Sequence, residues 1–196
     1  AAFKLGLLKG NLLRLLAEKC ESKTLRGFHY VSSISSAMVQ RLGQKGVVPS
    51  KRQLLPNWVD LNVIQPQQGE ARNKNSYRIE LRIKPQQLVL MYSGSMNKKQ
   101  DLNLLAQVIH QLSDDPQLIW LIAGEGPTKA ELVAKTRNLS QVIHLPLQPV
   151  KRLNNWLNAA DIHLLPQKGE TADLVLPSKM LGILASGRPV VASSPA

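Results

Sequence analysis

From Leu88 onward the chain repeats a single pattern: a short apolar run, a bend marked by glycine or proline, then a stretch with apolar residues three and four positions apart. The apolar runs are "LVLMYSG" from Leu88, "QLIWLIAG" from Gln117, "QVIHLPL" from Gln141, "DIHLLP" from Asp161 and "PVVAS" from Pro189. Between them lie "QDLNLLAQVIHQL", "TKAELVAKTRNL", "VKRLNNWLNAAD" and "SKMLGILASG", each with helical spacing. Five strands alternating with four helices require right-handed βαβ connections and a mainly parallel sheet covered on both faces. The expected fold class is therefore α/β, a Rossmann-like parallel sheet flanked by helices. Ligands of such sheets bind beyond the carboxyl ends of the strands. This places the candidate residues in Gly94 to Lys99, Gly124 to Gly126 and Pro166 to Lys179.

The front of the chain is less regular. "FKLGLLKGNLLRLLAEK" sets Leu5, Leu8, Leu12, Leu15 and Leu16 on one face and predicts a helix over residues 3–19, either packed on a core or resting on an anionic membrane surface. "FHYVSSIS" predicts a strand end and a serine-rich turn. "SSAMVQRLGQKG" predicts a helix stopped at Gly43 or Gly46, and "KRQLLPNWVD" a short strand that leaves its sheet at Pro56. Residues 61–86 are polar, hold two prolines, Pro66 and Pro85, and lack a long apolar repeat. They predict an interdomain connection with one short helix. The expected organisation is residues 1–60 as the tail end of a first α/β domain, 61–86 as the connection and 87–196 as a second domain, incomplete at its C-terminus. The first residue is Ala and the last strand runs almost to the final residue, so a piece of a longer protein is expected.

Charge narrows the function. Residues 1–100 hold 17 Lys/Arg and 5 Asp/Glu, a net +12, while residues 101–196 hold 8 of each. A nucleic-acid surface spread over the fold would not stop halfway, and neither aromatic interleaving nor a zinc spacing accompanies the charge. A basic nucleic-acid-binding module remains an alternative, but no nucleic-acid partner is expected. A lone cysteine, Cys20, excludes an internal disulfide and suits a reducing compartment. No apolar run reaches membrane-spanning length. The four histidines are far apart, and no CxxC, HExxH or paired-carboxylate spacing occurs, so no metal is expected.

Three loops could carry chemistry. In "YSGSMNKKQ", Gly94 allows a tight turn, and Lys98 and Lys99 stand at the next helix start, where an anion would balance them. In "AGEGPTKAEL", Gly124 and Gly126 form a glycine turn into a helix with a capping box from Thr128 and Glu131. In "LVLPSKMLGILASGRPVVA", Ser178 can cap a helix whose first turn carries Lys179. The macrodipole disfavours a cation there unless an anion is bound, so the pair suggests a phosphate cradle. Gly187 suits a left-handed helix stop. Glu170 and Asp173, in "KGETADLV", are carboxylates positioned to bind ligand hydroxyls.

The order of "YSGSMNKKQDL", "LIAGEGPTKAEL", "LNAADIHLLP" and "LPSKMLGILASGRPVVAS" resembles glycosyltransferase family 4, which has the two-domain GT-B fold. The closest flavour is the colanic-acid-biosynthesis type of exopolysaccharide glycosyltransferase. "SISSAMVQRLGQKGV" and "LLPNWVD" look like the end of that family's first, acceptor-side domain and its hinge. The resemblance implies a retaining transfer of sugar from a nucleotide-diphosphate-sugar to a lipid-linked or glycan acceptor, without a cofactor. It implies a cytoplasmic enzyme with peripheral contact to the inner membrane leaflet. By position, Gly94, Lys98, Lys99, Gly124, Gly126, Ser178 and Lys179 would border the donor and its diphosphate, and Glu170 or Asp173 would supply the carboxylate near the reacting sugar. Many family members carry two glutamates, with seven residues between them, where this chain has Leu174 and Gly182. A non-catalytic nucleotide-sugar binder is the corresponding alternative, and residues 1–196 alone are expected to be inactive in a radioactive sugar-transfer assay.

Overall fold

The computed structural model describes residues 10–168 and 178–193. The chain divides into two compact units, Ala1–Asn57 and Trp58–Ala196. In the first, α1 (Asn11–Gly27) is followed by β1 (Val31–Ser33), α2 (Ser36–Gln44), a 3-10 turn (Pro49–Lys51) and β2 (Arg52–Leu54). β1 and β2 pair in parallel, with Val31 opposite Arg52. Ser35 caps α2, its hydroxyl accepting from the Met38 N–H at 3.3 Å. Gly46 ends that helix region at φ +83°, which only glycine adopts freely. Of the expected helix over 3–19, the described part lies in α1, which runs over Asn11–Gly27. Residues 1–9 lie outside the described residues, and Leu12, Leu15 and Leu16 are exposed.

The second unit opens with α3 (Glu70–Asn73) and α4 (Ser76–Glu80), two short helices where the sequence suggested one. It continues as β3 (Leu88–Ser93), α5 (Leu102–Gln111), β4 (Leu118–Ala123), α6 (Lys129–Thr136), β5 (Val142–Leu145), a 3-10 turn (Val150–Arg152), α7 (Leu153–Ala159), β6 (Ile162–Leu165), α8 (Lys179–Ala185) and β7 (Val190–Ala192). The five strands form one wholly parallel sheet in the order β5-β4-β3-β6-β7. Alternate residues of the central strands enter opposite cores, as the two-residue period of a strand demands. Val89, Met91 and Leu121 pack with Tyr77 and Trp156 on one face. Tyr92, Trp120 and Ile122 pack with Leu102, Leu105 and Ile109 of α5 and Leu132 of α6 on the other.

Polar contacts hold the segment before β3 against this sheet. Asp161, at the entry to β6, accepts from Arg72 Nε at 2.7 Å and Nη2 at 2.9 Å, from Arg78 Nη1 at 3.1 Å and from the Val89 N–H at 2.8 Å. Arg78 is itself buried and also donates to the carbonyl of Ala159 at 2.8 Å. Asn75 caps α4, and its amide donates to Gln67 and to the Asn155 carbonyl, both at 2.8 Å. Among the described residues, no helix is long and apolar enough to cross a membrane.

Two expected caps are corrected. Thr128 takes the N-cap position of α6, but its side chain makes no cap hydrogen bond. Its N–H donates instead to the Met96 carbonyl at 3.2 Å, and Glu131 pairs with Lys135 at 2.7 Å, so the box never closes. Ser178 stands at the N-cap of α8 with helical dihedrals, φ −57° and ψ −29°, and makes no side-chain cap hydrogen bond. A capping side chain requires extended dihedrals at that residue.

Candidate functional site

Strand β3 ends at Ser93, and the chain turns at Gly94 with φ +143°. The next loop, after β4, lies alongside. Gly94 N–H donates to the Ala123 carbonyl at 2.9 Å and Met96 N–H to the Glu125 carbonyl at 2.8 Å, which continues the parallel ladder past the strand ends. A Cβ on Gly124 would collide with the Gly94 carbonyl oxygen, and one on Gly126 with that of Met96. Both glycines are thus required by close backbone approach. They buttress the Gly94 turn from behind.

Side chains fix the turn from the other sides. Tyr92 donates its hydroxyl proton to the Ser95 carbonyl at 2.7 Å. Trp156 of α7 donates Nε1–H to Ser93 Oγ at 2.9 Å. Asn97 donates to Ser95 Oγ and accepts from the Lys99 N–H, both at 2.9 Å. Lys179, the first residue of α8, reaches back to donate Nζ–H to the Ser93 carbonyl at 3.0 Å, with the ammonium 4.4 Å from the centre of the Tyr92 ring. A turn bonded at so many points is preorganised, so a ligand meeting it does not have to order it.

These groups border a cavity of about 570 Å³ within the second unit. Its polar rim includes Ser95, Asn97, Lys99, Gln100, Gln167 and Ser178, and its floor includes Ser93, Gly94, His163 and Lys179. The apolar side is built from Trp58, Ile64, Leu153, Leu157 and Ile183, with Gly182 among them. Volume and lining suit a small organic ligand with one charged end.

Burial sets the electrostatics. It lowers the Lys179 ammonium to about 8. His163 is pushed down to about 4, first by burial, against the raising effect of its bond to the Leu157 carbonyl and with the help of Lys179 and Arg188. His163 is therefore neutral at pH 7. Burial also raises the Tyr92 phenol. The floor thus offers one titratable cation between groups that stay uncharged. Among the described residues, no cluster of three or more His, Cys, Asp or Glu could hold a metal.

Of the residues singled out from sequence, Gly94, Lys99, Ser178 and Lys179 line this one cavity. Gly124 and Gly126 support it without lining it. Lys98 is exposed and lies outside the lining. Neither lysine stands in the first turn of α5, because Asp101 caps that helix, accepting from the Leu104 N–H at 3.2 Å. Glu170 and Asp173 lie outside the described residues, as does Leu174. Sequence reasoning missed Tyr92, Ser93, Trp156 and His163. The first two adjoin the Gly94 turn and were within reach, but nothing in a helical pattern says that Trp156 would meet Ser93.

A model of the family "Glycosyl transferases group 1" matches residues 87–196. This chain belongs to the glycosyl transferases group 1 family. The colanic acid biosynthesis glycosyl transferase WcaI of Escherichia coli K12 is 34% identical over 181 residues, which are 91% of this chain and 44% of WcaI. A D-inositol 3-phosphate glycosyltransferase of Streptosporangium roseum is 32% identical over 165 residues, 76% of this chain and 35% of that protein. The chain thus spans less than half the length of these two relatives. In fold it is similar to Anabaena HepE, crystallised with UDP and glucose, at a TM-score of 0.72 and 17% identity over 89% of this chain and 47% of HepE. WaaG, a glycosyltransferase of lipopolysaccharide biosynthesis, superposes at 0.68 with 20% identity over 97% of this chain and 53% of WaaG. The five-stranded parallel sheet flanked by helices is therefore that of the GT-B glycosyltransferases.

Proposed function

We propose that residues 87–196 form the donor-binding part of a glycosyltransferase that takes a sugar from a nucleotide-diphosphate-sugar. The carrying observation is the meeting of the Gly94 turn, Lys99 and Lys179 at one cavity beyond the carboxyl ends of a parallel sheet. On this reading the diphosphate sits against the Gly94 turn, within reach of the Lys179 ammonium. As the bond to the sugar breaks, negative charge grows on the departing diphosphate, and cations already fixed in place stabilise it without reorganising. That HepE was crystallised with UDP-glucose supports a nucleotide sugar as the ligand class.

The finer reading rests on family resemblance and on WcaI. The transfer would proceed with retention, to a lipid-linked or glycan acceptor, in exopolysaccharide biosynthesis, with residues 1–60 contributing to the acceptor side of the full enzyme. Cytoplasmic placement with peripheral membrane contact follows from the same reading and from the excess of Lys/Arg in the first half of the chain.

Thermal unfolding in the presence of UDP, GDP and ADP tests the donor site, because a ligand that binds only the folded state raises stability with its affinity. One nucleoside diphosphate should raise Tm, and Lys99→Ala and Lys179→Ala should each reduce the shift. No shift with any of the three, or full shifts in both variants, would remove the proposal.

A further inference from the structure

Residues 58–69 form neither helix nor strand, yet Trp58, Val59 and Ile64 give the cavity one of its sides. Apolar burial alone would not hold them there. Ile64 is the one buried residue of the stretch, packed with Leu157, Leu165 and Ile183, while Trp58, Leu61 and Val63 are exposed. The hold comes from α7, where Asn154, Asn155 and Asn158 make up three of seven residues. Asparagine is a poor helix former because its amide competes for backbone groups, and here that amide bonds backbone outside the helix. Asn154 and Asn158 share one face, a turn apart. Asn158 accepts from the Gln67 N–H and donates to the Gln65 carbonyl, both at 2.8 Å, as a neighbouring strand would. Asn154 Oδ1 accepts from the Gln65 N–H and from Asn158, both at 3.0 Å. The Gln67 side chain donates to Asn155 at 2.9 Å and accepts from Asn75 at 2.8 Å, and Arg188 donates to the Gln67 carbonyl. Asn158 is itself fully buried, so losing its amide would leave these partners unpaired away from water.

We propose that Asn158, together with Asn154, is a positioning residue for nucleotide-sugar binding: the two amides pin residues 64–67, so that the chain leading into them stands as a wall of the cavity. The inference rests on the nucleotide-sugar reading of that cavity. The two ends of the ligand then depend on different parts of the fold. The diphosphate meets Lys179 and the Gly94 turn, which Tyr92, Trp156 and Asn97 hold. The ring-bearing remainder meets the wall. A wall already in place need not be ordered by the ligand, whereas a released one has to be ordered at each binding event, at the expense of affinity. The bonding is also directional. It fixes the register of Gln65 and Gln67 on α7, which Ile64 alone would leave free to slide.

The test titrates the parent, Asn158→Leu and Asn154→Ala with inorganic pyrophosphate and with UDP by calorimetry, and follows amide hydrogen exchange in the ligand-free proteins; if the screen above selects another base, its diphosphate replaces UDP. Leucine keeps the size of Asn158 and loses its bonds, and Asn154→Ala, at a half-buried position, reads the same contact should the first variant fail to fold. In both variants the Gln65 and Gln67 amides should exchange faster, with β3 and β4 as protected as in the parent. Both should bind pyrophosphate within twofold of the parent. Asn158→Leu should bind UDP about tenfold more weakly, the factor expected when the wall is in place a tenth of the time, and Asn154→Ala should show a smaller loss. A merely structural role would not separate the two ligands. Parental UDP affinity in a variant whose Gln65 and Gln67 amides exchange faster, an equal loss for pyrophosphate, or unchanged exchange at both amides would each overturn the inference. A parent that binds pyrophosphate but no nucleoside diphosphate would overturn the nucleotide-sugar reading itself.

Discussion

Raising the pH from 7 to 9 should weaken nucleoside diphosphate binding about tenfold, through Lys179 alone. Its ammonium is lowered from 10.5 to about 8 by burial, with one hydrogen bond, to the Ser93 carbonyl, and the Tyr92 ring face as its polar contacts among the described residues. At pH 7 about nine-tenths of the free protein carries the charge, and at pH 9 about one-tenth does. A diphosphate bound beside the ammonium would hold the proton across this range, so apparent affinity follows the protonated fraction. The loss corresponds to about 1.4 kcal/mol. Neighbouring groups do not blur the window: His163 is neutral above its value of about 4, and the Tyr92 phenol is raised out of range. Calorimetry at pH 8.5 in buffers of different ionisation enthalpy should show uptake of about three-quarters of a proton on binding. Lys179→Met should bind more weakly at pH 7 and lose the slope. A flat affinity between pH 7 and 9 in the parent, or the same slope in Lys179→Met, would refute the assignment of the cation.

Ligand-free stability should move the opposite way. Between about 8 and 10.5 the unfolded chain keeps the Lys179 proton and the folded chain releases it, so the unfolded state binds more protons and stability rises with pH. The limiting gain is roughly 3 kcal/mol. Opposed pH trends of binding and stability, both removed by one substitution, identify a group that the fold holds at a cost.

Asp161→Asn should destabilise the second unit by about 3–5 kcal/mol, the range for removing one partner of a buried ion pair, since it leaves the buried Arg78 without its carboxylate. Burial raises the Asp161 carboxyl, but the bonds from Arg72 and the Val89 N–H and the charge of Arg78 outweigh it and hold the group below its ordinary value. That stabilisation is present above the unfolded value, near 4, and is lost as pH falls through the lower folded one, so the stability profiles of parent and variant should converge in acid. Gly94→Ala should cost about 1–3 kcal/mol, because φ +143° strains any side chain and the new methyl would crowd Lys179 Nζ; calorimetry should show nucleotide binding lost beyond what the drop in Tm explains. Trp156→Phe removes the bond to Ser93 Oγ and should cost about 1–2 kcal/mol in chemical denaturation.

How far the sequence can be read depends on whether the signal is local. The strands from Leu88 and the helices between them were legible because burial on both faces makes "LVLMY" and "LIWLIA" uniformly apolar, while "LNLLAQVI" keeps a helical period. Residues 61–86 hid their two helices because these are held by directed polar contacts, Arg72 and Arg78 to Asp161 and Asn75 to Asn155, with partners about 80 residues away. Such pairs leave no periodic trace. The caps at Thr128 and Ser178 failed for a related reason: residue type suggests a cap, but backbone dihedrals decide it, and at Thr128 a neighbouring loop claims the N–H. At the cavity, the glycines and Lys179 were visible as residue types that fit poorly with bland local structure. Tyr92 and Trp156 fit well in ordinary strand and helix positions and gave no such signal.

Lys179 shows why a misfit is informative. A cation opening a helix meets the positive end of the macrodipole, and burial adds a second opposing effect. The Tyr92 ring and the Ser93 carbonyl offset part of this, and they do so from the side of the Gly94 turn, so the interactions that retain the ammonium also direct it to the cavity floor. Among the described residues, what remains uncompensated is positive charge facing a space bounded by a rigid turn. A diphosphate is an anion of the right size and charge to complete that arrangement. On the proposed reading, its charge increases as the glycosidic bond breaks, so the compensation is larger in the transition state than in the ground state. A group that burdens the empty fold would then lower the barrier of the reaction, which is the condition for binding energy to appear as rate.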